Sequence, residues 1–185
     1  MLDPLTLLAV AFGLAMDAFS VSVASGTAVK NNGRNEAFKM AFSFGAFQVF
    51  MPLLGWIAGV KLLDFISGVD HWLAFGLLLF VGFKMIYEST KPETHVAKEN
   101  LSLYTLLILS VATSIDALAI GLSFALLNVS ITTPIIVIGT VTFTLSFLGA
   151  TLGGKIRKIS PGKIEILGGI VLILIGFKIL LEHLA

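Results

Sequence analysis

Two aspartates stand within long apolar segments: Asp17 in Ala-Met-Asp-Ala-Phe-Ser-Val and Asp116 in Thr-Ser-Ile-Asp-Ala-Leu-Ala. The apolar run around Asp116 extends over residues 101–127, and about 20 such residues suffice to cross a bilayer. A carboxylate at that depth costs about 2.5–3.5 kcal/mol on insertion scales, so it usually faces the protein interior and has a function. We therefore expect the other helices to bring these two carboxylates together.

The composition is that of an integral membrane protein. Of the 185 residues, 57% are hydrophobic and 12% are charged, whereas soluble domains have about 25% charged residues. The mean hydropathy is +1.01. The net charge of +1 gives no indication of a nucleic-acid partner. The lack of cysteine in the sequence excludes disulfides, iron–sulfur clusters and thiolate metal sites.

The hydropathy pattern predicts an all-α fold with six membrane-spanning helices. Pro4 and Pro134 suit first helical turns, where a missing N–H is not needed, and Pro52 predicts a kink in the second helix. Thr133 is the predicted N-cap of the fifth helix. Asp3 stands where a signal peptide would carry basic residues, so we interpret the first apolar run as a spanning helix. The predicted helices cover residues 4–25, 36–60, 71–89, 101–127, 134–154 and 161–182.

The distribution of basic residues predicts the orientation in the membrane. The loops after the first, third and fifth helices hold nine lysines and arginines, against two on the other side. Cytoplasmic loops carry an excess of such residues. We therefore predict that these three loops are cytoplasmic and that both termini face outward.

The two halves of the sequence resemble each other. A shift of 99 residues aligns the segment around Asp17 with that around Asp116. A shift of 94 residues aligns Gly45, Gly55, Gly59, Lys84 and Glu88 with Gly139, Gly149, Gly153, Lys178 and Glu182. The Gly-x-x-x-Gly pairs that this alignment contains predict close helix packing, between the halves if the repeat is correct.

Since each predicted half has three helices, the halves must have opposite orientations, related by a pseudo-two-fold axis in the membrane plane. We predict a single membrane domain made of a first repeat (residues 1–89), a cytoplasmic linker (90–100) and a second repeat (101–185). Transporters with such inverted repeats bind their substrate near the middle of the membrane. Asp17 and Asp116 are expected to meet there.

A structural alternative is that each aspartate pairs with an intramembrane lysine, for which Lys84 and Lys178 are the candidates. Each lies about six residues from its helix end, roughly 9 Å at 1.5 Å per residue, so its ammonium can extend outward. Each also has an acidic partner four residues later, Glu88 or Glu182. We therefore predict that the aspartates lack a built-in cation and need protons or a shared metal ion.

Oxygen-bearing side chains are the candidates to complete a site around the aspartates. Gln48 lies in the middle of the second helix, where its amide is costly to bury. Hydroxyl groups in such helices often bond back to a carbonyl four residues earlier, which is the structural alternative for each of them. Carboxylate, amide and hydroxyl oxygens suit magnesium, calcium and manganese ions. The predicted metal ligands are Asp17, Asp116, Gln48, Ser114, Thr113, Thr142 and Thr144.

Two acidic residues, Glu36 and Glu165, lie in first helical turns on the predicted cytoplasmic side. Acidic residues at such positions usually interact with the helix dipole. The functional alternative is an entrance or gate that collects cations.

Five motifs are spread over nearly the whole chain. They are M-D-A-F from Met16, F-G-A-F-Q-V-F-M-P-L-L-G-W from Phe44, D-H-W-L-A-F from Asp70, S-V-A-T-S-I-D-A-L-A-I-G from Ser110 and E-I-L-G-G-I-V-L-I-L-I-G from Glu165. Together they resemble the bacterial manganese efflux pump family MntP. The resemblance implies six spans and export of Mn²⁺ from the cytoplasm through the bacterial inner membrane, with function resting on Asp17 and Asp116. Some family members have Glu where this chain has Gln48.

The sequence lacks the phosphate-binding motif G-x-x-x-x-G-K-[ST], so we predict a secondary transporter and not an enzyme. Moving two positive charges outward against 100 mV costs about 4.6 kcal/mol, so we expect proton antiport with alternating access. The expected partners are Mn²⁺ as substrate, protons and lipid, with no permanently bound cofactor and no nucleic acid; whether the protein forms a homo-oligomer is left open. The alternatives are an exporter of another divalent cation or of a small amino acid, a channel, and an intramembrane aspartyl protease.

Overall fold

The computed structural model describes residues 3–26, 33–63, 70–90, 102–156 and 161–184. These residues fold into six α-helices, and no strand occurs in the ranges given. The predicted all-α fold is therefore confirmed. In chain order the helices are α1 (Pro4–Gly26), α2 (Gly33–Leu63), α3 (Asp70–Ser89), α4 (Leu103–Leu126), α5 (Thr132–Ile156) and α6 (Pro161–Leu184).

The chain is a multi-pass membrane protein. Helices α1 to α5 are each long and apolar enough to cross a membrane, and α6 contains a shorter apolar stretch, Gly168–Leu181. Large apolar side chains are exposed along every helix, which marks a surface that faces lipid. Among them are Leu8, Phe42, Phe80, Leu107, Ile136 and Leu174.

The predicted helix ends agree with the structure to within three residues. The fifth helix differs in its cap: α5 begins at Thr132, so Thr133 lies inside the first turn, and the prediction that it caps the helix is wrong. The main-chain N–H of Ile135 donates to the carbonyl of Ile131 (3.1 Å), which gives Ile131 the N-cap position. Pro52 lies inside α2, as predicted.

Four helices form the centre of the fold. Helix α1 packs along α5 and α2 packs along α4, while α2 and α5 also contact each other. Helix α3 packs against α6, and this pair is bordered by α4 on the side of α3 and by α1 on the side of α6. If α1 is exchanged with α4, α2 with α5 and α3 with α6, the same pairs of neighbouring helices are obtained. The predicted duplication requires this symmetry. The predicted linker, residues 90–100, lies almost wholly outside the described ranges.

Glycines on α2 allow close contact with α4. A Cβ atom on Gly55 would collide with the main-chain carbonyl of Leu118, and one on Gly59 would lie 2.5 Å from the Cβ atom of Ala125. Since Cβ atoms essentially never come so close to other atoms, only glycine allows these two helices to approach in this way.

The equivalent glycines on α5 have the same role against α1. A Cβ atom on Gly149 would lie 3.0 Å from the carbonyl oxygen of Phe19, and one on Gly153 would lie 2.5 Å from that of Val23. The predicted close packing at both Gly-x-x-x-Gly pairs is confirmed, and in both cases it joins the first half of the chain to the second.

The connection from α4 to α5 is a short capped turn. Asn128 has a φ of 53°, a left-handed conformation that asparagine tolerates. The N–H of Val129 donates to the carbonyl of Phe124 (2.8 Å), and that of Asn128 donates to Ala125 (2.9 Å), which together form a Schellman motif. The indole N–H of Trp56 donates to the carbonyl of Val129 (3.0 Å) and so attaches this turn to α2.

The largest apolar core lies between α1, α3, α4, α5 and α6. Ala117 and Met85 belong to it, so the residues next to Asp116 and Lys84 in the sequence are held by packing. Its other fully buried members include Val10, Leu14, Leu78, Val81, Ile120, Ile138 and Leu172.

Candidate metal centre

Asp17 and Asp116 lie at corresponding depths, each 13 residues after the first residue of its helix. Asp116 is 4% exposed, and Asp17 is half-buried. Carboxylate oxygens of Asp17, Asp116 and Glu88 lie within 4.8 Å of one another. The fold thus brings the two predicted aspartates together and adds a carboxylate from α3. These three residues are called the carboxylate cluster below.

Glu88 is a member of this cluster that was not among the predicted ligands. Sequence reasoning assigned it only to Lys84, whose ammonium lies 3.5 Å from it. A signal was present, because Lys84 and Glu88 align with Lys178 and Glu182 in the repeat. A charged pair at equal positions of two apolar helices indicates function more strongly than a simple outward-facing ion pair.

Lys84 supplies a cation to the carboxylate cluster. Its Nζ donates a hydrogen bond to Oδ1 of Asp116 at 2.7 Å, with side-chain exposures of 26% and 5%. Asp17 also attracts this ammonium electrostatically. The prediction that the aspartates lack a built-in cation is therefore wrong for Asp116. Depth along α3 alone suggested an outward direction, but the packing of α3 on α4 directs the side chain towards the neighbouring helix.

The electrostatics of the site follow from these groups. With every group ionised, the three carboxylates and the one ammonium carry a net charge of −2, which is the complement of one divalent cation. Oδ2 of Asp116 is buried and finds no hydrogen-bond partner within the described part of the chain. The ion pair between Lys84 and Asp116 also joins α3 to α4.

Lys178, the repeat counterpart of Lys84, has different partners. Its Nζ donates to Oδ2 of Asp3 at 2.6 Å and to the hydroxyl of Thr6 at 2.9 Å. These partners lie at the start of α1, and Thr6 precedes Asp17 by 11 residues, or roughly 16 Å along the helix. The side chain of Glu182, the predicted partner, lies outside the described part of the chain.

The environment of Asp3 has an electrostatic consequence. The hydrogen bond from the Lys178 ammonium holds the pKa of the Asp3 carboxyl well below its ordinary value of 3.8. The hydroxyl and the main-chain N–H of Thr6 act in the same direction, since each donates to a carboxylate oxygen. These contacts therefore favour the ionised form of Asp3.

Gln48 connects α1 to α4 next to the aspartates. Its amide nitrogen donates to the carbonyl oxygens of Leu14 (3.3 Å) and Thr113 (3.1 Å), and the side chain is fully buried. Leu14 and Thr113 are equivalent under the 99-residue shift, and each precedes its aspartate, Asp17 or Asp116, by three residues. The amide thus bridges equivalent points of the two halves.

Two oxygens at Gln48 are acceptors without their usual donors. The side-chain Oε1 is buried and has no hydrogen-bond partner among the residues the structure describes. Pro52 has no N–H, so the main-chain carbonyl of Gln48 lacks the donor that a helix normally provides four residues later. This position is therefore suited to binding a cation through oxygen.

Two of the predicted hydroxyl ligands bond to their own helix. The hydroxyl of Thr113 donates to the carbonyl of Leu109 (2.9 Å), and that of Ser114 donates to the carbonyl of Ser110 (2.6 Å). This is the structural alternative considered for them. Their role as ligands stays a prediction. Each hydroxyl proton is engaged by a helix carbonyl, and the oxygen lone pairs remain available to a metal ion.

The two predicted hydroxyls of α5 face in different directions. Thr142, the repeat counterpart of Gln48, is fully buried, and its hydroxyl has no partner among the described residues. Thr144 is exposed, and its hydroxyl donates to the carbonyl of Thr140 (2.8 Å). The structure therefore supports an interior position for Thr142 and does not bring Thr144 to the carboxylate cluster.

The predicted entrance residues are only partly described. Glu36 forms an ion pair with Lys39 (2.9 Å) in the first turns of α2. The side chain of Glu165 lies outside the described part of the chain. The assignment of these two residues to a gate stays a prediction.

Comparison with known proteins identifies one family. Residues 31–180 match the model of a family described as "Putative manganese efflux pump". A relative from Gloeothece citriformis with that description is 51% identical over 184 residues, covering 99% of this chain and 97% of the relative. Relatives of the same description from Methanosarcina barkeri (50% over 172 residues, 93% and 92% covered) and Methanothermobacter thermautotrophicus (48% over 184 residues, 100% and 99% covered) agree with it. No solved structure matches this chain.

Proposed function

Since this chain belongs to the MntP family of manganese efflux pumps, we propose that it exports Mn²⁺ across the cytoplasmic membrane as a secondary transporter. The observation that carries the proposal is the carboxylate cluster, whose oxygens from Asp17, Glu88 and Asp116 lie within 4.8 Å of one another. Carboxylates are costly within a membrane and mark ion pathways there. A divalent cation is the substrate that these charges suit.

The proposed ligands are oxygen atoms. Asp17, Glu88 and Asp116 supply carboxylates, and the buried Oε1 of Gln48 is a further acceptor on the neighbouring helix. Such ligands suit hard or borderline divalent ions such as Mn²⁺. Thr142 is the hydroxyl whose burial supports a place near the site.

Proton antiport is the proposed source of energy. Export of a divalent cation against 100 mV costs about 4.6 kcal/mol, and the protein must couple this to an inward flow. Protons bind to the same carboxylate oxygens as Mn²⁺ does, so the two compete for Asp17 and Asp116. We propose that Mn²⁺ binds from the cytoplasm to the ionised cluster and that protons take its place outside.

Alternating access around the cluster is the proposed route. We place the loops after α1, α3 and α5 in the cytoplasm, because they hold most of the basic residues. The exchange of helix neighbours between the two halves supports an inverted repeat with an axis in the membrane plane. In such proteins the substrate site is exposed first to one side and then to the other.

Metal titration of the purified protein tests the binding site. We expect Mn²⁺ to bind in a calorimeter more tightly than Mg²⁺ or Ca²⁺, and less tightly at lower pH. Asp17→Asn and Asp116→Asn should abolish this binding. Glu93→Gln is the matched control, because Glu93 is a carboxylate in the predicted linker between the halves and should leave binding intact. Undiminished binding in Asp116→Asn would refute the assigned site.

Transport in proteoliposomes tests the coupling. We expect Mn²⁺ flux to respond to an imposed pH gradient and to move protons in the opposite direction. Flux that ignores the pH gradient would refute antiport while leaving the binding site. Conduction in either direction at a rate set only by the Mn²⁺ gradient would identify a channel.

One observation favours a second candidate, an exporter of a small amino acid. Sequence reasoning opposed it because no central lysine or arginine was expected to bind a carboxylate, but the Lys84 ammonium lies 2.7 Å from Asp116. A site with both charges can bind both ends of a zwitterion. Titration with glycine and lysine in the same calorimeter separates the two, since binding of either without Mn²⁺ binding would favour this candidate.

A further inference from the structure

Lys84 and Lys178 are equivalent in the repeat but occupy different places. Under the 99-residue shift, Asp3 and Thr6, the partners of Lys178, correspond to Ser102 and Thr105. Lys84 instead contacts Asp116, which lies 11 residues beyond Thr105, roughly 16 Å further along α4. A lysine side chain alone does not span that difference, so the helices themselves must be shifted.

Packing of small residues gives independent support for a shift. Gly13 of α1 is buried against α6, where a Cβ atom on it would lie 3.4 Å from Cγ of Leu172. The equivalent positions in the other half are Ala112 and Leu78. Ala112 is exposed, whereas Leu78 is buried, so this pair does not reproduce the contact between Gly13 and Leu172. Since Lys84 reaches Asp116, helix α3 packs beside a later part of α4 than the repeat predicts.

The four central helices show no such difference. The contact of Gly55 with Leu118 is equivalent to that of Gly149 with Phe19, and both are present. Helices α3 and α6 are joined closely, since a Cβ atom on Gly82 would lie 2.7 Å from the carbonyl oxygen of Gly169. The asymmetry is thus confined to the position of the α3–α6 pair relative to the other four helices.

We propose that α3 and α6 slide as a pair along the four central helices, and that Lys84 and Lys178 alternate as the internal cation of the carboxylate cluster. This inference rests on the proposed function and identifies two positioning residues for it. In the arrangement described, Lys84 neutralises Asp116. In the opposite arrangement Lys178 engages Asp17, and Lys84 lies against Ser102 and Thr105.

The exchange gives each lysine a role in ion release. An ammonium that approaches the cluster competes with the bound divalent cation for the same oxygens. After release the ammonium and the protons that replace Mn²⁺ together compensate the carboxylates, so that the protein returns without an uncompensated buried charge. The contacts that hold each lysine away from the cluster differ in strength. Lys178 binds the carboxylate of Asp3, while Lys84 would bind only the hydroxyls of Ser102 and Thr105.

Cysteine cross-linking tests the movement directly, because the sequence has no native cysteine. Gly13→Cys with Leu172→Cys reports the arrangement described, and Leu78→Cys with Ala112→Cys reports the opposite one. Each pair joins the two halves, so a protease site inserted between residues 91 and 100 leaves the halves together only after cross-linking. We expect both pairs to cross-link in membranes and each cross-link to stop transport.

Cross-linking of the first pair without the second would overturn the proposal. The variants with single cysteines, mixed before oxidation, show whether links form between molecules, and only links within one chain count as support. This measurement needs no Mn²⁺ binding. It therefore decides the movement even if the proposed function fails.

Substitution of the lysines tests their role. We expect Lys84→Met and Lys178→Met to bind Mn²⁺ about tenfold more tightly than the unmodified protein, because a competing cation is gone, and to export it more slowly. Lys61→Met, at the exposed end of α2, is the control and should change neither quantity. A Lys178 that stayed beside Asp3 and Thr6 would leave binding unchanged when it is replaced, so unchanged binding with Lys178→Met would overturn the alternation.

Discussion

Gly55 contacts α4 as Gly149 contacts α1, whereas Lys84 and Lys178, equally equivalent in the sequence, have different partners. The glycine contacts both involve a main-chain carbonyl of the neighbouring helix, that of Leu118 or of Phe19. The lysine contacts involve ammonium groups on four-carbon chains that can exchange one oxygen partner for another. The comparison suggests that the duplicated backbone provides a fixed frame, and that the charges on α3 and α6 are the part able to change.

The largest expected effect is at the aspartates. Asp17→Asn and Asp116→Asn should both abolish Mn²⁺ efflux, because each removes a charge from the carboxylate cluster. Asp116→Asn should in addition destabilise the protein, by less than the roughly 3–5 kcal/mol of a broken buried pair, since Lys84 keeps Glu88 as a partner at 3.5 Å. Efflux from Mn²⁺-loaded vesicles and thermal unfolding in detergent measure the two effects. Normal efflux with either variant would contradict the assigned role.

The fixed frame is tested at equivalent glycines. Gly55→Ala should destabilise the protein by about 1–3 kcal/mol, because the new methyl group meets the main-chain carbonyl of Leu118. Gly149→Ala should cost less, since its nearest neighbours, the ring and the carbonyl oxygen of Phe19, lie at 3.0 Å and do not collide with the new methyl group. Thermal unfolding of both variants in one detergent makes the comparison. Equal losses would contradict this difference between the two contacts.

A smaller difference is expected between Gln48 and Thr142, which the repeat also makes equivalent. Gln48→Ala loses two hydrogen bonds to main-chain carbonyls, worth about 0.5–1.5 kcal/mol each. Thr142→Val removes a hydroxyl that has no partner among the described residues, so its stability should be unchanged or raised. Unfolding temperatures that fall equally for both would contradict this assignment of partners.

The smallest effect concerns the resting place of Lys178. The pKa of Asp3 is lowered in the folded protein, so this contact contributes stability above pH 3.8 and loses it as the pH falls towards the lower folded value. Asp3→Asn should therefore unfold at a slightly lower temperature than the unmodified protein at pH 7. The difference should shrink in acid below pH 3.8. A difference that stays constant would exclude an ionic origin.

Hydropathy and the repeat were sufficient to predict much of this arrangement. Apolar runs gave the helices, and the alignment of Asp17 with Asp116 predicted that the two carboxylates would meet. A polar side chain at Gln48 within an apolar helix indicated a buried role, which its two hydrogen bonds to α1 and α4 explain. These predictions succeed because each depends on the cost of placing a polar group in an apolar environment.

Position along a helix was easier to predict than the direction in which a side chain points around the helix axis. Lys84 was given an outward direction from its distance to the end of its own helix, but the helix that packs beside it decides which oxygen its ammonium reaches. Thr142 and Thr144 are both predicted ligands, yet two residues apart on a helix means roughly 200° around the axis. That spacing places one of them inside and the other outside, which helical geometry alone could have predicted.

The hydrogen bonds of Gln48 have a consequence for how freely this sequence can vary. Its amide donates to the carbonyl groups of Leu14 and Thr113, which belong to the main chain and are present whatever side chain stands there. Substitutions at positions 14 and 113 that preserve the helix and the local packing therefore leave the bridge intact. The core still limits which side chains fit at positions 14 and 113, but the whole constraint on the chemistry of the bridge falls on residue 48.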